Sequence, residues 1–363
     1  MFDNYLIGLP VAEVPTPALV VDADILEENI FLMSKFIKET GVTLRPHAKT
    51  HKTPPIAHMQ IRAGAVGLCC ATMGEAEAMV YAGINNIYIA NEIVEESKIR
   101  RLVNLARQAE IIVAVDDEKN LKKISEAAVK KKVELGIFID VDVGMGRCGS
   151  GSIDKSVALA QKILDLPGVI FKGLMGYEGH AVFIEDRDER EKTGKTANHY
   201  LVETAEKIRA QGIKVEIVSA AGTGTFDIAS LVPGITEIEA GSYVFMDTHY
   251  AKNNLPFKQS LKVLVTAVSC PKEGVVIFDA GLKAISHERS LPVVEENNKI
   301  VIAKLAEEHA LAQFPAGKVK IRSGDKVNLI PSHCCTTVNL YDKLVVVRDG
   351  IVEAVWPISG RRA

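Results

Sequence analysis

The sequence predicts an α/β protein, a (β/α)8 TIM barrel followed by an all-β domain. Three observations carry that expectation. Eight strand-like runs alternate with helical stretches across roughly the first two thirds of the chain. Polar and titratable residues stand just after these runs, where a barrel enzyme keeps its chemistry. After about residue 250 the texture changes to short β-branched runs broken by Gly, Pro, Asn and Asp.

The elements follow in order. TPALVVD, residues 16–22, reads as one extended run. DADILEENIFLMSKFIKET has apolar residues at helical spacing, and Asp22 or Asp24 is placed to cap it. The eight barrel strands are expected at 42–47, 67–71, 86–90, 110–115, 135–141, 171–176, 215–219 and 237–245. Helices are expected at 54–64, 74–83, 94–108, 119–132, 153–166 and 187–211, with a short last connection at 226–234. A doubly wound open sheet is the alternative. It usually carries a Gly-rich first turn, and no GxGxxG follows the first strand here. In the second part SLKVLVTAVSC, GVVIFDAG, KVNLIP, KLVVVRDG and IVEAVWPI read as strands, with one weak helix at 303–313. The segment before residue 20 is expected to pair with these strands. The domain division is therefore 21–250 for the barrel, and 1–20 with 251–363 for the β-domain.

Composition limits the function. Of 363 residues, 47% are hydrophobic and 25% charged, as in a globular protein. Lys and Arg number 43 against 46 Asp and Glu, a net charge of −3, which argues against a nucleic-acid partner. No apolar run is long enough to span a membrane, and the first residues lack the pattern of a secretory signal. Cys69–Cys70 and Cys334–Cys335 are adjacent pairs, unlike a secreted disulfide framework, so a cytoplasmic setting is expected.

The most chemical stretch is Arg45-Pro46-His47-Ala48-Lys49-Thr50-His51-Lys52, directly after the first barrel strand. Neighbouring positive charge disfavours a protonated amine, and a Schiff-base lysine must offer a neutral one. A basic surface turn is the plainer alternative for this octet. Other strand ends carry Asn91, Asp116, Asp142, Arg147, Tyr177, Glu178 and His180. Gly222-Thr223-Gly224-Thr225 and Gly241-Ser242 follow the last two strands, where barrels often bind phosphate. A phosphate on glycines, an aldehyde on Lys49 and a ring held from another strand together suggest pyridoxal 5'-phosphate.

With these residues assembled, the chain resembles the alanine-racemase-type (fold-type III) pyridoxal-phosphate enzymes. Within them it looks most similar to the D-threonine aldolase and D-serine dehydratase family. The resemblance rests on PTPALVVD, RPHAKTHK, DVDVGMGRCG, AGTGTFD, EAGSYVFMD, FDAGLK and PSHCCTTVNLYDKLVVVRDG, in that order. It implies a homodimer acting on small D-amino acids. It also implies Lys49 as the Schiff-base lysine, Arg147 near the cofactor ring oxygen, and Tyr177 near the ring nitrogen. Thr223, Gly224, Thr225, Gly241 and Ser242 would lie at the phosphate.

The resemblance further implies a divalent metal (Zn, Mn or Mg) held by His333 and Cys335. If that stretch is a strand, the two share one face and Cys334 points away. Two departures from the family's aldolases stand out. They carry Asp where this chain has Cys335, a soft ligand that favours zinc and that the dehydratases share. They carry a histidine where this chain has Phe183, which makes His180 the candidate catalytic base. The activity so implied is retro-aldol cleavage of D-threonine-like substrates to glycine and an aldehyde. The alternatives are dehydration of D-serine or D-3-hydroxyaspartate, racemisation, or a non-enzymatic pyridoxal-phosphate carrier.

Overall fold

The computed structural model describes residues 4–295 and 297–361. They divide into two compact units. One comprises Met33–Lys49 and Pro54–Gly241; the other comprises Met1–Leu32, Thr50–Thr53 and Ser242–Arg361. The chain thus passes between units after Leu32, Lys49, Thr53 and Gly241.

The opening strand β1 (Ala18–Asp22) leads into helix α1 (Ala23–Thr40). The Asp22 carboxylate accepts the Ile25 N–H at 3.0 Å, so Asp22 caps that helix. The barrel strands follow: β2 (Thr43–Leu44), β3 (Leu68–Cys70), β4 (Asn86–Glu92), β5 (Glu110–Val115), β6 (Leu135–Asp140), β7 (Val169–Gly176), β8 (Ile217–Ala220) and β9 (Glu237–Ile238). Between them lie α2 (Pro54–Arg62), α3 (Met73–Tyr81), α4 (Glu96–Leu105), α5 (Glu118–Lys131), α6 (Ile153–Asp165), α7 (Arg187–Arg209) and α8 (Phe226–Ala229). The side chains of Thr72, Asp117, Ser152 and Asp186 accept first-turn N–H groups of α3, α5, α6 and α7, which fixes where those helices begin.

All eight barrel strands are parallel, in the order β2-β9-β8-β7-β6-β5-β4-β3. The sheet closes on itself. His47 bridges Cys69, and hydrogen bonds run from Val66 N to Leu44 O (2.9 Å), Cys69 N to Pro46 O (3.0 Å) and Ala48 N to Cys69 O (2.7 Å). Parallel strands covered on both faces read as continuous apolar runs, and all six residues of β6 are buried. Cys69, Tyr88, Ile112, Ala114, Phe138 and Met175 pack as one cluster, with the Tyr88 and Phe138 rings 4.7 Å apart. Tyr177 packs against the same cluster from the end of β7.

The second unit is built from β10 (Leu261–Lys272), β11 (Val275–Phe278), β12 (Val293–Val294), β13 (Val301–Leu305), β14 (Ala310–Gln313), β15 (Lys326–Ile330), β16 (Lys343–Arg348) and β17 (Ile351–Pro357). One short helix, α9 (Cys334–Val338), interrupts them. β1 joins this sheet in mid-order, antiparallel to β10 and parallel to β16. Leu6, Val14, Ala18, Val20, Leu264, Val345, Val352 and Val355 form its buried cluster.

Three expectations are corrected here. Residues 303–313 are not helical; β13 and β14 form an antiparallel pair, and β14 also pairs with β11. Ala310 and Ala312 are fully buried in that pairing, so tertiary contacts override alanine's helix propensity. The eighth barrel strand stops at Ile238, and Ser242–Val244 forms a 3-10 turn, with Phe245 N and Met246 N both donating to Ser242 O. His333-Cys334-Cys335 is not a strand. His333 precedes α9 and Cys335 lies within its first turn, so alternation does not set which way these side chains point.

Candidate active site

In the barrel unit, three predicted residues converge. Lys49, half-buried in the turn after His47, places Nζ 5.6 Å from the centre of the Tyr177 ring. The Arg147 guanidinium lies 5.8 Å from the same centre. Each comes from a different strand end, after β2, β6 and β7, and the ring they share sits on the barrel's interior cluster. The loop bearing Arg147 is held by Asp142, whose Oδ1 accepts the Gly144 and Gly146 N–H groups at 3.0 Å each. His180 is exposed in the turn after Tyr177, with its ring beside Gly144.

The turn after β8 carries Thr223, Gly224 and Thr225, all buried. Gly222 N donates to Thr225 Oγ1 at 3.3 Å, and Thr225 N returns to Gly222 O at 3.2 Å. A Cβ on Gly224 would stand 2.0 Å from the Val182 carbonyl oxygen, so only glycine fits. A Cβ on Gly222 would stand 3.1 Å from the Tyr177 ring. The glycines therefore let the turn approach the neighbouring loop closely. No protein acceptor takes the Gly224 N–H among the described residues, which leaves it for an anion. A lysine over a ring, an arginine beside it and a backbone N–H left over in a glycine turn fit pyridoxal phosphate.

Beneath this lies a buried polar network. Arg45 pairs with Glu237 at 3.0 Å and also donates to Asn86. Ser219 donates to Glu237 at 3.0 Å and to Glu239 at 2.7 Å, and the Cys69 thiol donates to Glu239 at 3.3 Å. Burial pushes the Glu239 carboxyl up to about 7, helped by Glu237 and opposed by the Ser219 hydroxyl. Burial and a hydrogen bond to Glu92 push Asp140, at the end of β6, up to about 8.

The β-domain unit holds the second group. His333 Nδ1 lies 2.7 Å from Glu288 Oε2. Cys335 Sγ lies 3.3 Å from Thr50 Oγ1, 3.7 Å from Ser242 Oγ and 4.0 Å from Cys334 Sγ. The side chain of Ser242, expected at the phosphate, thus faces Thr50 and Cys335; Gly241 is buried just before it. The Cys334 thiol, and then His333 and Thr50, hold the Cys335 thiol well below the usual thiol range. Burial would lower the His333 imidazole, but Cys335 and Glu288 together raise it to about 9. Asp247 fixes the local backbone by accepting Cys334 N at 3.1 Å and Tyr250 N at 2.9 Å. A thiolate beside an imidazole whose other nitrogen is held by a carboxylate suits a divalent cation. Among the described residues no group of three or more His, Cys, Asp or Glu is placed to hold a metal ion.

Sequence reading missed Glu288, Asp247 and Thr50 as parts of this group. Asp247 and Thr50 fall inside motifs quoted for other reasons, but their partners are distant in sequence and nothing local signals the contact.

Known proteins match the chain over both of its parts. Residues 21–249 match the model of the alanine racemase N-terminal domain, and residues 260–347 match a putative serine dehydratase domain. A D-threonine aldolase from Arthrobacter sp is 41% identical over 360 residues, covering 98% of this chain and 94% of that protein. The crystal structure of D-threonine aldolase from Filomicrobium marinum superposes with a TM-score of 0.96 at 34% identity, covering 98% of this chain and 97% of that one. The D-threo-3-hydroxyaspartate dehydratase from Delftia sp. HT23 superposes at 0.89 with 25% identity, covering 96% and 98%. The chain belongs to the alanine-racemase-type, fold-type III pyridoxal-phosphate enzymes, in the branch that contains D-threonine aldolase and D-serine dehydratase.

Proposed function

We propose that this protein is a pyridoxal-phosphate-dependent lyase that cleaves D-threonine-like β-hydroxy-amino acids to glycine and an aldehyde. The observation that carries this reading is the convergence of Lys49 and Arg147 on the Tyr177 ring, in a chain 41% identical to a D-threonine aldolase. Lys49 would hold the cofactor's aldehyde carbon. Tyr177 and Arg147 would hold the ring, and the turn 222–225 with Gly241 would receive the phosphate. When bound, the cofactor supplies an electron-withdrawing ring that stabilises negative charge at the substrate Cα.

His333 and Cys335 are proposed to hold a divalent cation, which would supply Lewis acidity to the β-hydroxyl. His180 takes the hydroxyl proton as the Cα–Cβ bond breaks and the β-carbon becomes the aldehyde; a proton from solvent then meets the electron pair left on Cα to give glycine, and His180 returns its proton to solvent. Racemisation leaves His333 and Cys335 without a task, and a carrier needs neither them nor the β-domain. The working unit is proposed to be a homodimer.

One observation favours a second reading. Cys335 stands where the family's dehydratases carry cysteine, and the Delftia dehydratase covers 96% of this chain. D-threonine separates the two. Glycine and acetaldehyde are the expected products. 2-Oxobutanoate and ammonia without glycine would move the enzyme to dehydration.

A further inference from the structure

Glu178 is a buried acid to which the reaction above gives no task. It follows Tyr177 directly, and its side chain is fully enclosed. Oε2 accepts the Ala221 N–H at 3.1 Å, while Oε1 makes no hydrogen bond among the described residues. The Thr225 hydroxyl and the Asn198 amide face the carboxyl group. Both are also engaged elsewhere: Thr225 Oγ1 accepts Gly222 N–H at 3.3 Å, and Asn198 donates to Gly194 O at 2.9 Å.

Ala221 is the residue this arrangement serves. It is the first residue after β8 and has φ +71°, a left-handed conformation that L residues seldom adopt. It is itself buried, so its N–H has no access to water and needs a protein acceptor. The bend at Ala221 sets the direction in which the Gly222–Thr225 backbone leaves the strand. Burial raises the Glu178 acid, opposed by its hydrogen bonds.

We infer that Glu178 is a positioning residue for the phosphate turn. It holds Ala221 in its left-handed conformation and so fixes the backbone of residues 222–225 for a phosphate monoester. The inference rests on the cofactor reading given above. Because Tyr177 and Glu178 are adjacent, one short segment fixes both the ring contact and the phosphate turn.

The test is spectrophotometric titration of the full chain, freed of cofactor, with pyridoxal phosphate and with pyridoxal. The quantity read is the ratio of the two affinities, which a general loss of structure would not move selectively. Glu178→Ala should lower that ratio by about tenfold or more, the worth of one lost hydrogen bond to a charged group. Glu178→Asp, which withdraws the acid by one methylene, should lower it similarly. Glu178→Gln keeps an acceptor for Ala221 and should retain the wild-type ratio. An unchanged ratio in the Asp variant overturns the inference even if the Ala variant does not fold. So does a Gln variant as impaired as the Ala variant. A wild-type protein without preference for the phosphorylated ligand would instead overturn the cofactor reading.

Discussion

The two groups of chemical residues are built in opposite ways. In the barrel, Lys49, Arg147 and Tyr177 come from three separate strand ends and meet because the parallel sheet closes in register. In the β-domain, His333 and Cys335 lie in one short turn, set by Asp247 on the Cys334 N–H and by Glu288 on the imidazole. The first group depends on the whole barrel, whereas the second depends on a few hydrogen bonds from residues distant in sequence.

The largest expected effects separate the two groups. Lys49→Ala should abolish both turnover and the visible absorbance of the cofactor–lysine bond. His333→Ala should lower turnover of β-hydroxy substrates by on the order of a hundredfold or more while leaving that absorbance intact. A His333 variant that loses the absorbance as well would show that the two groups are not separable. Borohydride reduction followed by peptide mapping checks the lysine directly, since a label on Lys52 would reassign it.

His180→Ala comes next. If His180 takes the hydroxyl proton, kcat should fall by about a hundredfold, the usual worth of a positioned base, with cofactor absorbance unchanged. A fall confined to KM would make His180 a binding residue.

The smallest effect concerns stability. Glu239 is raised from the ordinary carboxyl value of 4.5 to about 7, chiefly by burial, so the folded state keeps a proton that the unfolded state releases. Its contribution is full below about pH 4.5 and is lost as pH rises to about 7. Glu239→Gln should remove that part of the slope, on the order of 1–3 kcal/mol, seen in denaturant unfolding at either end of the window. A slope equal to wild type would place the titration elsewhere, for instance on Asp140, which is shifted in the same direction.

The barrel was legible because its signals are long-range and repetitive. Apolar runs of parallel strands and capped helices recur, and the chemical residues fall at their ends. The β-domain was less so. Residues 303–313 contain Ala and Glu, which suit a helix, and the pairing of β14 with β11 and β13 makes them strand instead. Thr336, Thr337 and Val338 favour a strand by propensity, yet the His333 carbonyl accepts the Thr337 hydroxyl at 2.9 Å and a helical turn forms. Glu178 was noticed only as one of several strand-end residues, because its role depends on a φ angle more than forty residues away in sequence.

Strand β1 carries a consequence for synthesis. It lies between β10 and β16, yet it leaves the ribosome before the whole barrel, and both of its partners are made after it. Ala18–Asp22 must therefore wait, apolar and unpaired, while residues 33–241 are translated. Cells making this protein should need a chaperone for that interval, and a nascent chain stopped before Leu261 should bind one through its first twenty or so residues.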